Sequence, residues 1–325
     1  MTSESVAIRA TSRPRRRGRG WFSDRMWHGL LAAFGTVVFS VVALIVYETA
    51  RGAAPSLRAF SWNFLTTTAW DPVAEKFGAL PYVYGTLVSS GLALLLALPC
   101  GIGAAVYLAE IAPRRVGEVV TFMVELLASV PSIVYGMWGV FSLAPWLRVT
   151  IEPWLIGHLG FLPLFSGFPF GLGMLNAGVV LAIMILPTIV SLSREMLLAA
   201  PTALREAALA LGATRAETLG VTLEWSRPGI IGAVILALGR ALGETMAVTM
   251  VIGNTNHISA SLLAPGATLA SVIANEFSEA TSRLHLASLI EIALVLFVIT
   301  LLVNAIARLI IYWSTGGRRG AATAH

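Results

Sequence analysis

Six long apolar stretches constrain this chain more than any other feature. They cover about 28–47, 86–108, 121–144, 172–192, 229–252 and 287–312. Each is long enough, at 1.5 Å per helical residue, to cross a hydrocarbon layer of roughly 30 Å. A soluble core has no use for six such stretches. The composition agrees: 57% of the 325 residues are hydrophobic and 12% charged, about half the charge of an ordinary soluble domain. The stretches are rich in glycine and alanine, as expected where helices pack closely in lipid without a hydrophobic drive between them. The predicted fold is therefore an all-α membrane protein of six transmembrane helices.

The basic residues orient it. Residues 1–27 carry seven arginines with Pro14, Gly18 and Gly20 among them, which predicts a flexible basic arm ahead of a retained first helix. With that arm in the cytoplasm, sixteen of the 22 basic residues fall in inside segments and five outside, while Arg240 alone lies within a span. The positive-inside rule then predicts both termini in the cytoplasm of a multi-pass inner-membrane protein. The domain reading is an arm at 1–27, a permease body at 28–313 with an inside loop at about 193–228, and a tail at 314–325. Outer connections fall at 48–85, 145–171 and 253–286. Trp62, Trp70, Tyr82, Tyr84, Trp146 and Trp154 in and beside them suit an aromatic belt. The single Cys100 excludes an internal disulfide, and five scattered histidines without i, i+4 pairing predict no metal site. No catalytic constellation is recognisable.

The inside loop has its own grammar. Pro201 suits the start of a short helix and Gly212 its left-handed stop. Thr214 and Glu217 then spell a T-x-x-E capping box that opens a second helix. On the first helix Leu204, Ala207, Ala208 and Leu211 share a face. That face suits either a partner protein or the bilayer surface, and its small residues, with no Lys/Arg-rich polar side, favour the partner. Glu206-Ala207-Ala208, followed after three residues by Gly212, is similar to the E-A-A-x-x-x-G loop of permease subunits of ATP-binding-cassette importers. That resemblance implies a type I importer permease whose loop seats in a cleft of a cytoplasmic ATPase. Downstream the chain departs from the family's I-x-L-P: Thr222-Leu223-Glu224-Trp225 stand there, with proline only at Pro228.

The fifth stretch holds Gly239-Arg240-Ala241-Leu242-Gly243-Glu244-Thr245. On a continuous helix Arg240 and Glu244 stand at i, i+4, close enough to pair, and Gly239 and Gly243 make a G-x-x-x-G packing seam. Two readings follow. The pair neutralises itself and locks packing, or Arg240 offers its donor fork to a passing oxyanion while Glu244 moderates binding. Glu125 and Glu291 are further possible partners.

This run, with Met246-Ala247-Val248 and Ile252-Gly253-Asn254 after it, resembles the PstC-type permeases of phosphate-specific importers. So do Ala274-Asn275-Glu276-Phe277-Ser278-Glu279-Ala280, and Phe77-Gly78-Ala79-Leu80-Pro81 with Gly85-Thr86. The companion permease type carries a similar R-A-x-G-E-T followed by proline and leucine, where this chain has Met246 and Ala247. The resemblance runs over about 60–312. It implies a homologous second permease, a cytoplasmic ATPase dimer and an extracytoplasmic phosphate-binding protein as partners. It also implies that this chain binds no cofactor, ATP and Mg being held by the ATPase. The chain has no G-x-x-x-x-G-K-[ST] phosphate loop. Permeases for sulfate or molybdate are the alternative, and a secondary anion transporter is a weaker one, because no repeat relates the two halves.

Overall fold

Where proline and glycine interrupt the helices decides this architecture. A computed structural model describes residues 20–319; most of the basic arm (1–19) and the end of the tail (320–325) lie outside the described residues. The helices are α1 (Gly20–Phe60), α2 (Asn63–Thr66), α3 (Leu80–Val106), α4 (Arg114–Ala128), α5 (Ser132–Trp138), α6 (Ala144–Trp146), α7 (Glu152–Leu159), α8 (Met174–Leu198), α9 (Thr202–Ala210), α10 (Arg215–Leu242), α11 (Met246–Val251), α12 (Leu269–Glu276) and α13 (Arg283–Arg319). The chain divides into two units, Met1–Glu48 and Thr49–His325. Within the described residues the first is the leading part of α1, and the packing below belongs to the second.

Among the described residues five helices are long and apolar enough to span: Met26–Phe60, Leu80–Ile111, Met174–Leu198, Arg215–Leu242 and Arg283–Leu309. Arg114–Ala128 and Ser132–Leu159 reach that length and apolarity only together, as a pair bent by 88° that is either one broken span or a re-entrant loop. The described residues thus give five apolar crossings, or the expected six where the bent pair counts as one, and three of the expected stretches have different shapes. The first runs on to Phe60, taking in much of the expected outer connection. The third is not a straight helix over 121–144. Pro131 has no N–H to give and its ring crowds the carbonyl four residues back, so the helix turns there. Tyr135 Oη donates to the Leu127 carbonyl at 2.8 Å, in place of the N–H that the proline lacks. The fifth starts at Arg215 and stops at Leu242, ten residues short of the expected end at 252.

The outer connections are built, not loose. The segment after the bend continues through π-helical turns Gly139–Leu143 and Leu147–Ile151 into α7. There the buried Glu152 accepts from the Gly171 N–H at 2.9 Å, and Asn176 Nδ2 donates to the Gly171 carbonyl at 2.9 Å. A second cluster joins residues 60–82 to α12 and α13. Trp70 and Tyr82 are buried in it, 5.1 Å apart edge to face, so these two are core residues and not belt anchors. Trp62, Trp146 and Trp154 are exposed, as a belt requires. Glu276 Oε2 accepts from Trp70 Nε1 at 2.6 Å and lies 3.0 Å from His285 Nε2. The motif glycine Gly85 lies so close to the segment before α12 that an added Cβ would sit 2.1 Å from the Ala267 carbonyl oxygen. Thr86 Oγ1 beside it accepts from the Leu269 N–H at 2.9 Å. The core proper is α8 packed on α3, α10 and α11, with Ala93, Ala97, Val180, Ile185, Ala237, Ala241, Val248 and Val251 buried between them.

Candidate functional site

Arg240 lies two residues before the end of α10. Gly243 then leaves helical geometry at φ −94° and ψ 0°, and Thr245 follows at φ −108° and ψ −60°. Because the helix stops, Glu244 is not one turn above Arg240. Its Oε1 instead accepts from the Ala247 N–H at 3.2 Å, holding one of the free donors that open α11. No ion pair joins Arg240 to Glu244. The expected i, i+4 pairing therefore fails, and its cause is the break itself. The expected seam fares likewise within this chain. A Cβ on Gly239 would meet nothing within 4 Å, and one on Gly243 only the Gly239 carbonyl at 3.7 Å. Among the described residues no helix comes close enough to use the two glycines as a seam.

What Gly239 and Arg240 do face is a cavity of about 780 Å³ lined by Thr188, Gly232, Ile235, Leu236, Gly239, Arg240, Asn304 and Arg308. Three helices supply it: α8 one hydroxyl, α10 the first guanidinium, and α13 an amide and the second guanidinium one turn apart. No carboxylate among the described residues lines the cavity. Among the described residues neither Arg240 nor Arg308 has an acidic partner. Glu125 is exposed on α4, and Glu291 is buried on α13 and does not line the cavity. Two fixed positive charges on a cavity without an acidic group attract an anion, and guanidinium forks match oxyanion geometry bidentately. Arg308, Asn304 and Thr188 were not singled out in the sequence. Counting Arg308 among the inside arginines hid it, although Asn304 and Arg308 at i, i+4 inside an apolar run were a usable signal.

The inside loop forms as its sequence predicts. Helix α9 ends before Gly212, whose φ of +85° is the left-handed stop. Thr214 Oγ1 accepts from the Glu217 N–H at 3.3 Å while Glu217 Oε2 accepts from the Thr214 N–H at 2.7 Å, completing the box. One detail differs: Pro201 is the cap residue, outside the helix, which begins at Thr202. Glu206, Ala207, Leu211 and Gly212 are exposed, while Leu204 and Ala208 are half-buried. Leu204 faces α10 across a groove that it lines with Glu217, Val221 and Trp225. The shared face is thus split, one edge spent on this chain and the other left outward.

Comparison with known proteins fits this geometry. Residues 97–313 match the family described as binding-protein-dependent transport system inner membrane component. The phosphate transport system permease protein PstC of Mesorhizobium japonicum is 44% identical over 88% of this chain and 89% of its own length. The protein of the same name from Haemophilus influenzae is 45% identical over 86% of this chain and 90% of its own. Among solved structures, a chain of the inward-facing MetNI methionine ABC transporter superposes with a TM-score of 0.53 and 19% identity, covering 72% of this chain and 94% of that one. That last likeness is one of fold. The chain belongs to the binding-protein-dependent transport inner membrane components, and within them to the PstC permeases.

Proposed function

We propose that this chain is the permease subunit of an ATP-driven importer of inorganic phosphate, forming the translocation path together with a homologous second permease. The observation that carries the reading is the cavity with two guanidiniums, Arg240 and Arg308, and no carboxylate. Hydrogen phosphate presents several acceptor oxygens and up to two negative charges to such donors. Asn304 and Thr188 add neutral donors that bind without tightening the hold beyond release. Glu244, spent on capping α11, shapes the helix break and stands beside the path without neutralising it.

Energy comes from outside the chain, which has no phosphate loop of its own. The outward edge of α9, with Glu206, Ala207 and Gly212, is the docking element for one half of a cytoplasmic ATPase dimer that binds ATP and Mg. Both chain ends and the α9 loop then lie in the cytoplasm, and the built outer connections receive an extracytoplasmic phosphate-binding protein. The names of the relatives support the substrate, and the arginine-lined cavity supports an oxyanion in particular.

The test is ATP-dependent uptake of radiolabelled phosphate by the reconstituted complex with its binding protein, comparing wild type with Arg240→Gln at matched insertion. Uptake that needs ATP and binding protein, and collapses in the variant, is the expected result. A wild-type complex that carries sulfate or molybdate but no phosphate would overturn the substrate, and full uptake by Arg240→Gln would overturn the path.

A further inference from the structure

The docking helix is bolted to the membrane body by a charge that the sequence motif does not include. Arg205 stands one residue before Glu206-Ala207-Ala208, and its side chain points the other way. Its Nη2 donates to Glu110 Oε1 at 2.5 Å and to the Leu197 carbonyl at 2.9 Å. Both partners sit at inner helix ends. Glu110 lies in the π-helical turn Tyr107–Ile111 that finishes the α3 span, and Leu197 is in the last turn of α8, where its carbonyl accepts from the Ala200 N–H at 3.3 Å as well as from Arg205. One guanidinium therefore joins α9 to the two helices at the centre of the core.

We infer that Arg205 is a positioning residue that transmits displacement of α9 to the inner ends of α3 and α8 through Glu110 and the Leu197 carbonyl. This rests on reading α9 as the ATPase-docking element. Three features support it. The pair is mostly withdrawn from solvent, with the side chains 25% and 18% exposed, so it holds its geometry better than a surface pair such as Arg114–Glu118, at 92% and 59%. It links residues 95 apart in sequence, which makes it a tie between elements and not a local helix contact. Among the described residues no other ion pair connects α9 to a membrane helix. The glutamate's place in a π turn adds a further point: such turns interrupt a regular helix and occur preferentially at working positions. Ala112 N–H donates to the Tyr107 carbonyl at 2.8 Å across it.

The experiment uses the whole complex in proteoliposomes, with phosphate uptake and ATP hydrolysis measured on the same samples. The variants are Arg205→Gln, Glu110→Gln and the double variant. Each single variant is expected to retain the ATPase on purification and to keep hydrolysis within about threefold, while phosphate moved per ATP falls at least about tenfold. The double variant should be no worse than the poorer single one, because both remove the same tie. An unchanged ratio of uptake to hydrolysis in either single variant overturns the inference. So does a proportional loss of both activities, which would make Arg205 a packing residue only. A wild-type complex that hydrolyses ATP with binding protein present but moves no phosphate overturns the importer reading instead.

Discussion

Arg308→Gln is the substitution that best separates a two-arginine anion cavity from a single essential arginine with a bystander. A cavity of about 780 Å³, taken as a sphere, puts a central anion roughly 6 Å from each wall group, where one pair of unit charges is worth about 3 kcal/mol at an effective dielectric near 20. Arg308 is exposed, and water and salt in an open cavity screen the attraction, so about half of that figure is the sounder expectation. Half, about 1.4 kcal/mol, corresponds to about tenfold in apparent affinity. Glutamine keeps hydrogen-bonding capacity and removes the charge, which isolates this effect. The assay is the concentration dependence of phosphate uptake into proteoliposomes, with the complex driven by ATP and the binding protein saturating. The expected result is an apparent KM for transport about tenfold higher, with a wild-type defect of similar size appearing as ionic strength is raised. An apparent KM within twofold of wild type, in correctly inserted protein, refutes the argument and leaves Arg240 alone on the path.

Two further substitutions test the frame that holds the cavity. Gly85→Ala should destabilise the purified protein in detergent by about 1–3 kcal/mol, read as a lower midpoint of thermal unfolding, because its Cβ would sit 2.1 Å from the Ala267 carbonyl oxygen and backbone must move. Glu276→Gln weakens the bonds from Trp70 and His285, costs about 1.5–3 kcal/mol on the scale of hydrogen bonds to charged groups, and should shift the fluorescence of the buried Trp70; an unchanged midpoint and spectrum would remove the cluster from the argument.

Much of this was legible before any coordinates. Apolar length located the crossings, and the inside loop was readable almost residue by residue, because Gly212 and the Thr214–Glu217 box act through local bonds that neighbouring sequence alone determines. Breaks in apolar helices were not legible in the same way. Met246-Ala247-Val248 continues the hydrophobic run without a change of period, so hydropathy cannot register that the backbone stops at Leu242 and restarts at Met246. Pro131 announced a disturbance, but an 88° turn also depends on where Tyr135 and the helices beyond it find partners. The cavity was harder still. Thr188, Arg240 and Arg308 come from three helices whose relative rotation no local pattern encodes, and an arginine near the inner end of a span has a ready second explanation in topology. The buried tie from Arg205 to Glu110 crosses the same divide: each residue sits plainly in the sequence, and nothing nearby says that they meet.

The break between α10 and α11 carries a consequence for how Arg240 keeps its charge available. If the helix ran on, Glu244 would stand one turn above Arg240, and the pair would neutralise the charge that the anion needs. Ending the helix at Leu242 sends the Glu244 carboxylate to the Ala247 N–H instead. Gly243 is the residue that permits this: it disfavours helix continuation by about 1 kcal/mol relative to alanine. An added Cβ has room, with its nearest neighbour the Gly239 carbonyl oxygen at 3.7 Å, so Gly243→Ala is not a steric lesion. It should instead favour an unbroken helix by that 1 kcal/mol, about a fivefold shift in population, and phosphate uptake should fall by up to the same factor while thermal stability holds. Gly243→Ala combined with Glu244→Gln separates this cause from simple damage. The neutral glutamine cannot cancel Arg240 even on a continuous helix, so the double variant should recover most of the uptake lost by the single one. If the single variant transports at the wild-type rate, or the double variant transports no better than the single, then the break does not serve to keep Arg240 unpaired.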